Sequence, residues 1–136
     1  MTLSHQQEYG YQWECKLAER LQQFGNVEHL SQICWTHEFD LKLDDKFVHC
    51  KVAKSCKHKA HGKVWRNRYQ FNLSMVNGGD YLILICDKYG EPVYFIIPVT
   101  ELSKKSLSIT SHPLIDSGWA SKYRENWSVL CYQENS

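Results

Sequence analysis

What this chain lacks narrows the reading first. Its 136 residues contain no CxxC pair, no G-x-S-x-G, no phosphate-cradling glycine loop and no H-E-x-x-H. Those absences remove the ordinary zinc-finger, hydrolase-elbow, P-loop and zincin readings. The longest apolar run, YLILIC, is far below the ~20 residues of a membrane helix, so no membrane partner is expected. There is no repeat, no low-complexity stretch and no linker, so one domain spanning residues 1–136 is expected. The opening MTLSHQQEYGYQWECK has no apolar leader, and the six cysteines are irregularly spaced. Both features suit reduced thiols in a cytoplasmic protein. A net charge of +1 singles out no partner.

The placement of charge says more. Lys46, Lys51, Lys54, Lys57, Lys59, Lys63, Arg66 and Arg68 put half of the 16 Lys and Arg into one stretch without an Asp or Glu. Such a run is either a solvated face or an electrostatic footprint for nucleic acid.

Periodicity then sets the elements. Trp13, Leu17, Leu21 and Phe24 form one stripe of a helix over residues 5–24, stopped by Gly25. Glu14 falls on the flank of that stripe and Glu19 on the opposite side. FDLKLDDKFVHCKVAK (residues 39–54) reads as a β-hairpin turning at Asp44-Asp45. Its register pairs Lys42 with Phe47 and Asp40 with His49. Alternation puts Leu41, Leu43, Val48, Cys50 and Val52 on one face and Asp40, His49 and Lys51 on the other. VWRNRYQFNLS alternates again, with Trp65, Tyr69, Phe71 and Leu73 inward. NGG at 77–79 is a turn, DYLILIC a strand buried on both faces, VYFIIP a further strand and SLSIT an edge strand. GWASKYRENWSVL, capped by Ser117, carries Trp119, Tyr123 and Trp127 at helical spacing. The expected fold is α+β (mixed α/β): a central mixed sheet whose hairpin carries the site, flanked by N- and C-terminal helices.

An acid and a lysine on paired strands suit phosphodiester hydrolysis. That reaction needs charge neutralisation, an oriented water and a stabilised leaving oxygen. Mg²⁺ typically takes only one or two carboxylates and keeps several waters. A solvated outer face is the plain alternative for the same residues.

With Glu14 on the first helix, Asp40 on the hairpin and Lys51 on its second strand, the layout resembles the PD-(D/E)XK nuclease superfamily, over roughly residues 8–100. The resemblance implies a restriction-endonuclease-like fold and an endonuclease cutting DNA with Mg²⁺ (or Mn²⁺), as a homodimer or homotetramer. It implies that Asp40 holds the metal with help from the Cys50 carbonyl. Lys51 then activates water or stabilises charge, and Glu14 orients waters or a second metal. His49 stands where the family places Glu, Asp or Gln, and Phe39 where it usually has proline. Three readings stay open. His49 binds the metal and favours Mn²⁺; Glu38 or Gln70 replaces it; or the site has decayed and the protein binds DNA without cutting. Lys54, Lys57, Lys59, Lys63, Arg66, Arg68 and Gln70 are the candidate nucleic-acid contacts, with Trp65 and Tyr69 as stacking platforms or core. Two weaker constellations remain: a zinc site from Cys50, Cys56, His58 and His61, and a Cys50–His112 nucleophile pair.

Overall fold

The computed structural model describes residues 5–30, 39–54, 56–60, 63–74, 76–88, 90–102, 106–110 and 121–131; at 6, 56–60, 63–68, 106–110 and 121 it describes the backbone alone. One helix, α1 (His5–Leu21), precedes β1 (Val27–His29), β2 (Leu41–Leu43), β3 (Lys46–Lys54), β4 (Cys56–Ala60), β5 (Lys63–Asn72), β6 (Tyr81–Lys88), β7 (Glu91–Pro98) and β8 (Ser106–Thr110). The class is mixed α+β, as the periodicity implies. A five-stranded sheet runs β1-β2-β3-β6-β7, and a three-stranded sheet runs β4-β5-β8. The β3–β6 pairing is parallel and the other pairings are antiparallel.

The α1 stripe does what its spacing requires: Trp13, Leu17 and Leu21 are buried against Leu41, Leu43, Val48, Cys50, Ile83 and Ile85. On the other side of the sheet, Leu82, Leu84, Cys86, Phe95 and Ile97 meet Tyr69, Phe71 and Leu73 of β5. β6 therefore lies between two apolar layers, which explains its unbroken hydrophobic run. Each fully buried Leu or Ile there contributes about 1.5–3 kcal/mol over its exposed state. The parallel pairing requires a long return from β3 to β6. A β-hairpin, β4–β5, supplies it where a helix is more usual. β4 is a strand that alternation does not reveal, since its residues are mostly polar.

Two acids clamp the five-stranded sheet. Asp44 takes a positive φ of 55° in the tight β2–β3 turn, a region Asp enters more readily than most residues. Its Oδ1 accepts the Asn26 N–H at 2.9 Å, and its own N–H donates to the Asn26 carbonyl at 2.7 Å. Gly25 is required beside it, because a Cβ there would fall 2.2 Å from Asp44 Oδ2. Asp80 secures the start of the parallel pair. Its Oδ2 accepts from Phe47 N–H at 2.8 Å and its N–H donates to the Phe47 carbonyl at 2.8 Å.

The expected C-terminal helix is corrected. Residues 121–131 form two 3₁₀ turns, Ser121–Tyr123 and Trp127–Leu130, interrupted at Arg124 and Glu125. Arg124 bridges to Phe95, and Glu125 has φ 50°. The Glu125 N–H donates to the Tyr94 carbonyl, while its carboxylate accepts the Tyr94 N–H. The segment thus pairs with the β7 edge, satisfying backbone groups that a helix would leave exposed. Trp127 still meets Phe24 and Tyr94, so the aromatic spacing reflects burial without helicity. Ser117 and Trp119 lie outside the described residues. Among the described residues, no helix is long and apolar enough to cross a membrane.

Candidate active site at the helix and hairpin junction

The hairpin register is Leu41↔Val48, Lys42↔Phe47 and Leu43↔Lys46, as the turn position predicts. It stops there, so the expected Asp40–His49 pair does not form. The Val48 carbonyl, already opposite Leu41, also takes the Asp40 N–H at 3.2 Å. Two residues thus oppose one, an irregularity of the β-bulge kind that takes Asp40 out of strict alternation. Its carboxylate turns along β3, and Oδ2 accepts the Cys50 N–H at 2.7 Å.

The charges of Glu14, Lys51 and His29 all reach that carboxylate. Asp40 is held protonated up to about pH 6, first by burial and then by the negative charge of Glu14. The Cys50 N–H, the Lys51 ammonium and His29 oppose this but do not cancel it. Glu14 Oε1 lies 3.0 Å from His29 Nε2, with both side chains mostly buried. Tyr11 stacks on the His29 ring at 5.2 Å and fixes its plane. Nothing in the sequence pattern singles out His29, which closes the short strand Val27–His29 with only one apolar residue, Val27.

His49 does not join this group. It is buried, its Nε2 lies 2.9 Å from the Gly78 carbonyl, and Phe39 packs edge-on against its ring at 5.2 Å. Neighbouring Cys50 points into the α1 core, so alternation sends His49 to the other side of the sheet. The expected sharing of one face is corrected for Asp40, which joins the Cys50 side; the same alternation leaves Lys51 on the His49 side, acting on Asp40 through its charge. The Gly78–Gly79 turn that receives the ring has φ values of 73° and 84°, and a Cβ on Gly79 would come within 3.2 Å of His49 Nε2.

Cys50 presents its thiol to the core, where burial, then Asp40 and Glu14, push its pKa well above normal. It stays neutral, which argues against a thiolate nucleophile there. Its carbonyl projects to the same strand edge as its N–H, toward Asp40. Lys54 stands at the end of β3 with its Nζ 4.5 Å from the Tyr9 ring centroid. Gln70 is exposed on β5. Lys57, Lys59, Lys63, Arg66 and Arg68 belong to the β4–β5 hairpin, which follows β3 directly. Their side chains, with those of Cys56, His58 and Trp65, lie outside the description, as do Glu38, His61 and His112 altogether. Tyr69 is core, not a surface platform.

A cation would find Asp40, Glu14 and the Cys50 carbonyl on one side of the sheet. Among the described residues no three His, Cys, Asp or Glu side chains converge as a ligand cage. An oxygen set with two carboxylates fits Mg²⁺ or Mn²⁺, which keep waters, better than a closed zinc site. The like charge that raises Asp40 is also what a cation would relieve. Replacing Glu14 by glutamine is therefore expected to lower the Asp40 pKa below about 6. A ¹³C titration of the Asp40 carboxyl checks this, and an unmoved midpoint would contradict the coupling.

Compared with protein-family models, curated proteins and solved structures, the chain matches none.

Proposed function

We propose that this protein is a divalent-metal-dependent endonuclease that hydrolyses DNA phosphodiester bonds. The observation that carries the reading is Asp40: its carboxylate is fixed on the Cys50 N–H within the fields of Glu14 from α1 and Lys51 from β3. The order of helix, hairpin and following strand supports a restriction-endonuclease-like core, with a hairpin return between β3 and β6 as its departure. Asp40 and Glu14 would hold Mg²⁺ or Mn²⁺ with the Cys50 carbonyl. The ion, when bound, supplies charge neutralisation at the phosphate and lowers the pKa of a bound water. His29 orients Glu14. Lys51 would supply a positive charge whose field reaches Asp40 and the developing negative charge. His49 is a structural imidazole in this scheme. The basic β4–β5 hairpin, leaving β3 just beyond Lys51, extends the contact to flanking phosphates. A small subunit that cuts both strands would act as a symmetric homodimer or homotetramer.

One assay tests the reading. Supercoiled plasmid is incubated with Mg²⁺, Mn²⁺ or EDTA and with wild type, Asp40→Ala or Lys51→Ala. Metal-dependent nicking that both substitutions abolish supports it. DNA binding that survives both, with no nicking under either metal, gives preference to a binding protein on a decayed nuclease core. The engagement of His49 with Gly78 favours that second outcome.

A further inference from the structure

Between the first three turns of α1 and the end of β3 runs a groove of about 560 Å³, whose lining includes Tyr9, Gly10, Glu14, Cys50, Lys51 and Lys54. That volume is of the size that encloses a small organic ligand. We propose that the groove is a subsite for one unpaired nucleotide next to the scissile phosphate, so that the substrate is single-stranded or frayed DNA. The proposal rests on the reading of the Asp40 site as the cutting centre.

Three observations converge on it. Gly10 sits inside the helix, where glycine costs about 0.5–1 kcal/mol relative to alanine. Apart from its chain neighbours and its own helix backbone, no atom of the described residues lies within 4 Å of where its Cβ would stand, so packing among them does not call for glycine there. What the missing side chain leaves is space in the groove wall. Second, the groove presents two ammonium groups, Lys51 and Lys54, against one lining carboxylate, Glu14, which His29 engages. Among the described residues, no carboxylate lies within ion-pair distance of Lys51 or Lys54. Third, the wall that positions Lys54 is rigid. The Tyr9 hydroxyl donates to Asp87 Oδ2 at 2.6 Å, and buried Asp87 is anchored by the Gly90 N–H at 2.7 Å. The Lys54 ammonium rests over the ring so held.

Cys50 to Lys54 spans ~13 Å of strand, running from the Asp40 site to the groove's far end. A phosphate at Lys54 and a reacting phosphate at Asp40 would thus bracket a nucleotide whose sugar and base pass Gly10. A paired duplex keeps its bases inside and offers such a groove only its phosphate ridge, leaving the space beside Gly10 unfilled.

The test is fluorescence anisotropy in EDTA with a short labelled oligo-dT and a hairpin duplex of equal length. Wild type is expected to bind oligo-dT about tenfold more tightly, a gap of ~1.4 kcal/mol. Gly10→Phe should abolish the preference with an unchanged thermal midpoint. Lys54→Glu should weaken oligo-dT binding about tenfold and decides the matter alone if Gly10→Phe does not fold. Equal binding of the two probes by wild type, or undiminished oligo-dT binding by both variants, overturns the subsite. If plasmid nicking persists in that case, the nuclease reading stands without the groove. A groove-dependent preference with no cleavage under any metal leaves the subsite and removes the nuclease.

Discussion

Asp40→Asn is expected to make the protein more stable at pH 7.5 while costing at least about a hundredfold in cleavage. The carboxyl keeps its proton to about pH 6 when folded and to 3.8 in its unperturbed state. Between those values the folded chain binds more proton than the unfolded one, so stability falls as pH rises through the window. Above about pH 6 the whole cost of an ionised Asp40 is present, about 2–3 kcal/mol at 1.36 kcal/mol per pH unit. Asparagine removes the charge and keeps an oxygen to accept the Cys50 N–H. Urea unfolding in EDTA at pH 7.5 should show the gain, and at pH 4 it should nearly vanish. A variant less stable than wild type at both pH values would mean that the carboxylate is stabilised by its surroundings, contrary to the burial and the Glu14 charge described above.

Lys51→Ala is expected to lose about 10²–10⁴ in plasmid nicking with the fold intact. A second signature separates it from general damage. The Lys51 ammonium lowers the proton affinity of Asp40, so its removal raises that affinity further above the ordinary carboxylate range. The acid limb of the remaining activity should therefore move to higher pH, opposite to the displacement expected for Glu14→Gln. Lys51→Arg keeps the charge, and so the position of the limb, but cannot transfer a proton at neutral pH. It should recover the pH profile without full rate. Wild-type nicking by Lys51→Ala would end the catalytic assignment.

The parts of this fold that are legible in the sequence are those that burial alone dictates. The three-residue stripe Trp13, Leu17 and Leu21, the register around Asp44-Asp45 and the two-faced burial of Leu82 to Cys86 all follow from where apolar side chains recur. What alternation misreads is Asp40, because one doubled opposition at Val48 shifts it out of strict alternation. The same rule therefore groups Asp40 with His49, whereas the fold groups it with His29 and Glu14. His29 had no periodic signal, since its partner lies on another element 15 positions away. The aromatic spacing of Tyr123 and Trp127 fits a helix equally well, and only the backbone pairing of Arg124 and Glu125 with β7 decides against it.

The Asp80 clamp carries a consequence for how the molecule is assembled. It joins backbone positions 33 residues apart, whereas the hairpins on either side close over short loops. Closing a long loop is the slower event, since its entropy must be lost before the contacts are gained. On that ground the strand bearing Cys50 and Lys51 is expected to find its central neighbour after the hairpins have closed. A chain weakened at that seam would keep its hairpins and lose the β3–β6 pairing first.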